Sequence, residues 1–300
     1  MLGDDLPEWF NQLVDWQKVH EGNYQIVNGI LVESNVLKSS SIWTKSQFAD
    51  RALTRFSTTW CEQQLAENLL DRALLEIVNS GETVFADFGS GDGRLTKSLL
   101  ARGARKIVVT NFELEPLLTL RGQLQPDELE RVQMVCGDIT SSLLLGESID
   151  FALAWGLWTS CHDFIEAREM TINYVKKLGI ILNAEPILEQ YLAYAMVMGD
   201  AAELLRVLKS RTRPISWQER EIRYRLMTQT EVRNHVRCER LEIIWERAIS
   251  AFPSLFFGGL CNGKRVDETL KEEIWYELQQ LDDSPYWSRQ LVFLSRRRST

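Results

Sequence analysis

Residues 84–184 alternate between short apolar runs and helical patterns, and few folds accommodate this alternation. The runs are apolar along their length rather than at every second position, which is typical of strands in a parallel sheet buried on both faces. Helical patterns separate several of them, as at 94–101 and 164–177. Because parallel strands need right-handed crossovers, we predict a doubly wound α/β sandwich. The predicted strands are 84–88, 106–112, 131–136, 149–155 and 179–184.

The segment before this core is predicted from weaker patterns. Residues 24–32 are rich in β-forming side chains around an Asn28-Gly29 turn signal. Residues 48–78 have apolar side chains at helical spacing. We therefore predict an N-terminal extension at 1–80, made of a short ribbon and helices.

The segment after the core is predicted to be mainly helical from Pro186 to about residue 235. The runs 240–245 and 290–295 are predicted as two closing strands, which gives a mostly parallel sheet of about seven strands. The predicted division is then a core at 81–245, a helical insertion at 246–289, and a final strand with a basic tail at 290–300.

A glycine-rich turn joins the first predicted strand to the helix at 94–101. It reads Asp87-Phe88-Gly89-Ser90-Gly91-Asp92-Gly93. Glycine accepts positive φ and lets a ligand approach the backbone, and a helix N-terminus carries partial positive charge. The dinucleotide pattern G-x-G-x-x-G would need a third glycine where Arg94 stands, so a nicotinamide cofactor is the less favoured alternative. The turn is therefore a candidate nucleoside site.

The order D-x-G-x-G-x-G resembles the first motif of the class I S-adenosylmethionine-dependent methyltransferases, of the small-molecule type. The resemblance extends over about residues 83–186 and implies a Rossmann-like methyltransferase fold with S-adenosylmethionine as the cofactor. It also implies which residues of the turn face the methionine portion and the adenosine of that cofactor. These are Asp87, Gly89, Ser90, Gly91 and Gly93.

The ends of the next two predicted strands carry the other contacts that the resemblance implies. In the family, an acidic residue closing the second strand binds the ribose hydroxyls. Asn111 stands at that place here and Glu113 follows two residues later, so both are candidates and Glu113 is favoured. After the third strand, the Asp138 side chain is implied to meet the adenine amino group, and the backbone N–H of Ile139 to meet a ring nitrogen.

The family places the methyl acceptor beyond the fourth strand, at 154–163 in this chain. Methyl transfer is an in-line displacement, so the protein mainly aligns the acceptor and removes a proton from a hydroxyl. His162 is the candidate base because histidine titrates near neutral pH, with helix capping or packing as the alternative. Trp155 is a candidate neighbour of the sulfonium, against simple core packing for Trp155 and Trp158. Glu185 is interpreted as a solvated loop charge, with a pocket-facing role as the alternative.

The segment 24–30 and the helix after it look similar to a leader of some bacterial small-molecule methyltransferases, in which it covers the cofactor. Phe56 and Trp60 are candidate cover residues, with ordinary packing as the favoured alternative. The zinc ligands of such ribbons are absent from this segment, so no metal site is predicted.

The net charge and the cysteine content limit which partners and which cellular compartment are expected. The net charge of 34 − 42 = −8 disfavours nucleic acid and anionic lipid surfaces. The 5 cysteines are an odd number without a C-x-x-C pair, which favours reduced thiols in a cytoplasm over disulfides or a zinc site. No apolar run is long enough to span a bilayer, so no membrane association is expected. The oligomeric state is not predicted.

These observations favour methyl transfer to an oxygen or nitrogen of a small polar metabolite, such as a secondary-metabolite or sugar intermediate. One alternative is a methyltransferase-like scaffold or partner subunit without turnover, which the intact glycine turn disfavours and the unusual Asn111 leaves open. The other is a methyltransferase of RNA or protein. Members of the family that methylate base amino groups or glutamine carry an Asn-Pro-Pro-Tyr-like tetrapeptide after the fourth strand, where residues 154–157 here read Ala-Trp-Gly-Leu.

Overall fold

The computed structural model contains one large mixed sheet and a separate two-stranded ribbon. It describes residues 6–34, 58–78, 80–141, 143–161, 163–189, 191–192, 201–217, 220–250, 268–280 and 288–299. The strands are β1 (Tyr24–Val27), β2 (Ile30–Glu33), β3 (Val84–Phe88), β4 (Lys106–Asn111), β5 (Val132–Cys136), β6 (Ile149–Trp155), β7 (Val175–Pro186), β8 (Thr212–Trp217), β9 (Arg220–Arg225), β10 (Leu241–Ser250) and β11 (Ser288–Arg297).

Helices connect most of these strands. They are α1 (Glu8–Asn11), α2 (Trp16–Lys18), α3 (Thr58–Leu74), α4 (Arg94–Ala101), α5 (Leu114–Arg121), α6 (Pro126–Leu129), α7 (Phe164–Tyr174), α8 (Ala201–Ser210), α9 (Gln229–Val236) and α10 (Glu268–Gln280). A π-helical turn follows α2 at Val19–Asn23, and 3-10 turns lie at Ile139–Ser141 and Trp158–Ser160. No helix of the described stretches is long and apolar enough to cross a membrane.

The large sheet has the strand order β1-β2-β5-β4-β3-β6-β7-β11-β10. β3 pairs in parallel with β4 on one side and with β6 on the other, while β11 runs antiparallel between β7 and β10. The chain builds outward from β3 in one direction and then returns to its other side at β6. In open α/β sheets such a reversal leaves a crevice beyond the carboxyl ends of the two strands, where ligands bind.

Both faces of the sheet are buried, because successive residues of a strand point to opposite sides. Ala86 and Phe88 belong to one core, which the N-terminal residues, α7 and α9 close. Phe85 belongs to the other, which α3, α4 and α5 close. This double burial explains why the strands are apolar throughout, and it confirms the predicted doubly wound, Rossmann-like fold class. The predicted number of seven strands is wrong: the sheet has nine, because the hairpin β1–β2 joins it through β5.

The five predicted core strands and both closing strands are present, with different ends at two places. β7 begins at Val175 rather than at residue 179, and Leu178 within it has a φ of 65° where the register against β6 shifts. β10 continues to Ser250, past the predicted end at 245, because β11 is long enough to pair with it. The division of the chain into domains stays a prediction.

The prediction of a helical segment from Pro186 to about 235 is wrong at its centre. Residues 212–225 form the antiparallel ribbon β8–β9 between α8 and α9. Pro214 disfavours a helix interior, and the stretch carries β-branched and aromatic residues with period-two alternation, as in 221–225. The predicted helix at 48–78 is observed as α3; residues 48–57 lie outside the described ones.

Candidate cofactor and acceptor site

The glycine-rich turn lies at the carboxyl edge of the sheet, between β3 and α4. Gly89, Gly91 and Gly93 have φ values of 69°, 57° and 75°, which other residues rarely adopt. The Ser90 N–H donates to the Thr110 carbonyl at 3.0 Å and the Gly91 N–H to Asn111 Oδ1 at 3.3 Å. Both N–H groups therefore donate to residues of β4, which holds the turn in place. A ligand would contact the outer surface of the turn rather than these N–H groups.

The three glycines are needed for different reasons. A Cβ on Gly89 would lie 2.7 Å from Leu157 Cδ1, and one on Gly93 would lie 2.4 Å from Leu120 Cδ1. A Cβ on Gly91 would meet nothing within 4 Å. Gly89 and Gly93 thus allow the β6 loop and α5 to pack on the turn, whereas Gly91 leaves an open cradle beside the backbone. The backbone at Gly91 is therefore open to the approach of a ligand.

Asp87 closes β3 directly beneath the turn. It is buried, and its Oδ2 accepts a hydrogen bond of 2.6 Å from Thr96 Oγ1 on α4. Burial raises the pKa of Asp87 to about 6, although the Thr96 hydrogen bonds and Arg94 oppose the rise. The carboxyl group therefore joins β3 to α4 and fixes the two ends of the turn.

The two candidates for the ribose contact have different surroundings. Asn111 ends β4, and its side-chain amide accepts from the Gly91 N–H while donating to the Glu113 carbonyl at 2.9 Å. Glu113 is the buried residue that precedes α5. Both polar ends of the Asn111 amide are thus engaged by backbone groups, one in the turn and one at the start of α5.

The predicted adenine residues lie at the end of β5. Asp138 is exposed, and its Oδ1 accepts from the N–H and hydroxyl of Thr140 at 2.9 and 2.8 Å. Ile139 is buried and begins the 3-10 turn. These bonds shape the turn after β5, on the same sheet edge as Gly91.

Glu33, at the end of β2, contacts this turn and is not identified by the sequence. Its Oε2 accepts from the Asp138 N–H at 3.1 Å and would lie 3.0 Å from a Cβ on Gly137. Tyr24 on the neighbouring β1 donates to Ser141 Oγ at 3.0 Å. The hairpin β1–β2 therefore braces the turn after β5, through a strand pairing that no local pattern reveals.

The loop after β6 completes the edge. Trp155 is half-buried at the end of β6 and packs against the core of the α3 face, whereas Trp158 is fully buried, as the packing interpretation expects. Cys161 lies in this loop, and burial raises the pKa of its thiol to about 12, with contributions from the charges of Asp138 and Glu185. The loop therefore follows β6 at the carboxyl edge of the sheet, where it contacts the end of β7.

Glu185 is not a solvated loop charge, and that interpretation is wrong. Its side chain is fully buried at the end of β7, where it accepts hydrogen bonds from Trp158, Thr159 and Asn183. Burial raises the pKa of this carboxyl to about 7. Trp158 and Thr159 are distant from Glu185 in sequence, so only the fold shows that the carboxyl group has these donors.

Three candidates lie outside the described residues. His162 and Phe56 are not described, nor is the side chain of Trp60 on α3. The described neighbour Asp163 caps α7, since its Oδ1 accepts from the Ile165 and Glu166 N–H groups at 2.8 and 3.0 Å. Helix capping, the alternative considered for His162, therefore belongs to Asp163. Within the described stretches, no cluster of potential ligands suits a metal ion.

Comparisons with known proteins agree with this geometry. Residues 86–182 match the family model of a methyltransferase domain. No curated protein matches the chain in sequence.

Solved structures share the fold at low identity. An S-adenosylmethionine-dependent methyltransferase of Methanosarcina mazei is similar with a TM-score of 0.53 and 12% identity over 77% of this chain and 97% of that one. One of Mesorhizobium loti has a TM-score of 0.50 and 13% identity over 76% and 96% of the two chains. The [4+2]-cyclase SpnF has a TM-score of 0.52 and 14% identity over 79% and 82%. At such identities the likeness concerns the fold.

The family match spans β3 to β7, which is the part of the sheet that carries the glycine turn and the carboxylates. Residues 86–182 thus form a methyltransferase domain with the fold of the S-adenosylmethionine-dependent methyltransferases, which implies S-adenosylmethionine as the cofactor.

Proposed function

We propose that the chain transfers the methyl group of S-adenosylmethionine to an oxygen or nitrogen of a small polar metabolite. The observation that carries the proposal is the open space beside Gly91, at the sheet edge where the Asp87, Glu113 and Asp138 carboxyl groups and the loop after β6 also lie. A carboxylate-rich edge suits a sulfonium cation, and the net charge of −8 disfavours a nucleic-acid acceptor. Secondary-metabolite and sugar intermediates are acceptors of the expected size and polarity.

Binding of the cofactor falls to the turns at the ends of β3, β4 and β5. Gly91 provides the close approach, and Asp87 holds the turn around it through Thr96. We assign the ribose hydroxyls to Glu113 because a carboxylate accepts two hydrogen bonds at once. The adenine is assigned to the turn of Asp138 and Ile139, and the remaining proposed cofactor contacts are Gly89, Ser90, Gly93, Asn111 and Trp155.

Bound S-adenosylmethionine supplies an already activated methyl group, so the protein has to align the acceptor and take up its proton. Trp155 ends β6 at the crevice and offers an aromatic wall next to the cradle. His162, in the sequence that joins this loop to α7, is the proposed base for a hydroxyl or ammonium acceptor. Asp163 fixes the start of α7 and thereby anchors the chain directly after His162.

The segment between β7 and β10 supports a small acceptor. Ile187 pairs with Met227, and β9 lies against the 3-10 turn Trp158–Ser160. The Phe164 ring on α7 packs against the His235 ring on α9, with centroids 5.3 Å apart. These contacts bring parts of this segment against the loop after β6 and the helix that follows it. An acceptor site lined in this way by the chain itself would suit a small molecule better than a macromolecule.

The test is a methyl-transfer screen with radiolabelled S-adenosylmethionine against cell-extract fractions separated by mass. We expect label in a small-molecule fraction, and loss of that label with Glu113→Gln. Label found only in RNA or in protein would overturn the small-molecule assignment. Cofactor binding by calorimetry without label in any fraction would favour the scaffold or partner-subunit alternative.

A further inference from the structure

Glu185 is a carboxyl group buried at the carboxyl edge of the sheet, and none of the cofactor contacts proposed above uses it. It accepts hydrogen bonds from the N–H groups of Trp158 and Thr159 at 3.2 and 3.0 Å and from the Thr159 hydroxyl at 2.5 Å. The Asn183 side-chain amide donates to it at 2.7 Å. Four donors around one fully buried carboxyl group satisfy its oxygens by hydrogen bonds.

These donors connect three parts of the acceptor side. Asn183 and Glu185 lie on β7, and the Asn183 amide also donates to the Ala154 carbonyl of β6 at 3.1 Å. Trp158 and Thr159 belong to the 3-10 turn of the loop after β6. The carboxyl group therefore joins the end of β7 to that loop, next to the point where β6 ends.

The loop itself borders open space. Gly156 has a φ of 67°, and a Cβ on it would meet nothing within 4 Å. On the other side of the 3-10 turn, the Trp158 indole donates to Thr171 Oγ1 at 3.1 Å and its ring packs edge-on against Phe164. The turn is thus held by α7 at the Trp158 side chain and by Glu185 at its backbone, while Gly156 before it borders open space.

We propose that Glu185 is a positioning residue, which holds residues 156–161 in the shape that receives the methyl acceptor. This rests on the proposed function, since it concerns the acceptor half of the same site. An apolar side chain would fill the space equally well but would leave the Trp158 and Thr159 N–H groups without acceptors. The hydrogen bonds of the Glu185 carboxyl group therefore determine the shape of the loop rather than the packing of the core.

The test separates the shape of the loop from turnover. Thr159→Ala removes one donor and leaves the Glu185 charge in place, and Thr159→Ser keeps the hydroxyl. Ile149→Val, in the buried amino end of β6, controls for a loss of stability. The shape of the loop is read from the alkylation rate of Cys161 by N-ethylmaleimide, followed by peptide mass mapping.

We expect Thr159→Ala to speed alkylation of Cys161 about tenfold, with Thr159→Ser and Ile149→Val near wild type. The Kd of S-adenosylhomocysteine should change by less than about twofold in all three. With the acceptor fraction found in the screen, Thr159→Ala should raise KM about tenfold and change kcat less. Glu185→Gln should likewise raise KM more than it changes kcat.

Two results would overturn the proposal. One is a Cys161 alkylation rate equal in wild type and Thr159→Ala. The other is an activity loss in which Ile149→Val matches Thr159→Ala, because it would reflect stability alone. If wild type methylates no fraction, the proposed function fails, and the alkylation rates still decide whether Thr159 and Glu185 hold the loop.

Discussion

At the scale of single residues, the glycines of the turn have different roles: some allow close packing, and one borders the space open to a ligand. Gly93 approaches Leu120 and Gly91 faces the open cradle, although both have positive φ. Gly103, at the end of α4 and away from the sheet edge, also has a positive φ of 84° and an open Cβ position. It is therefore a matched control for the backbone cost of a side chain.

Gly93→Ala should destabilise the protein more than Gly103→Ala does. Both place alanine in the left-handed region at a cost of roughly 1 to 2 kcal/mol. Gly93→Ala also drives a methyl group into the Leu120 side chain, which adds roughly 1 to 3 kcal/mol. Urea denaturation measures the two free energies of unfolding. Equal losses would show that Leu120 moves aside without cost.

Gly91→Ala should resemble Gly103→Ala in stability and differ from it in cofactor binding. The added methyl group enters the cradle, so we expect the Kd of S-adenosylhomocysteine to rise about tenfold, against no change for Gly103→Ala. Isothermal titration gives both constants. Unchanged affinity in Gly91→Ala would place the cofactor elsewhere.

Glu185→Gln should change the pH dependence of stability. Burial raises the pKa of Glu185 from 4.5 to about 7, so the folded protein binds this proton more tightly than the unfolded chain. The stability contributed by this proton is complete below about pH 4.5 and is lost as the pH rises to about 7. The wild-type advantage over Glu185→Gln should fall by roughly 3 kcal/mol across that window. An advantage that is equal at pH 5 and pH 7.5 contradicts the prediction.

Single residues also show what a sequence pattern can predict about the site. Asp87 and the turn glycines follow one another along the chain, so their spacing predicts their proximity. Glu185 looks like a loop charge because its donors at Trp158 and Thr159 are far away in sequence. Burial of a charge is decided by distant partners, which a local pattern does not contain.

At the scale of elements, the hairpin β1–β2 has a turn that the sequence predicts and a pairing partner that the sequence does not predict. Asn28 and Gly29 have φ values of 51° and 73°, as expected for the predicted Asn-Gly turn. Pairing of β2 with β5 brings Glu33 to the turn after β5, and that pairing spans about a third of the chain. The sequence pattern wrongly predicts helix at the ribbon β8–β9, because short alternating segments beside helices carry a weak period-two signal.

Glu33→Ala should weaken cofactor binding through the turn after β5. Loss of the carboxylate leaves the Asp138 N–H without its acceptor and frees the turn, so we expect the Kd of S-adenosylhomocysteine to rise about five- to tenfold. Glu33→Gln keeps an acceptor oxygen and should stay within about twofold of wild type. Calorimetry of both variants is the measurement. A similar loss in both would assign the effect to charge rather than to the hydrogen bond.

At the scale of the whole molecule, the core strands were predictable because each is a local apolar run between helices. The order of the strands also depends on which edges remain free, and the insertion between β7 and β10 depends on contacts such as Ile187 with Met227. The site gathers turns from β2 to β7 at one edge. Ligand binding there should therefore be linked to global unfolding.

S-adenosylhomocysteine should stabilise the protein against unfolding, and NAD should not. At about 100 times its Kd, a ligand that binds only the folded state adds about 2.7 kcal/mol to the free energy of unfolding. The turns it would contact lie at the ends of β3, β4 and β5, in the middle of the sheet, so local opening cannot release it while the core stays folded. Thermal unfolding with each ligand measures the shift, and Gly91→Ala should need a higher ligand concentration for the same shift. Stabilisation by NAD alone would mean that the Gly89–Gly93 turn holds a dinucleotide despite Arg94.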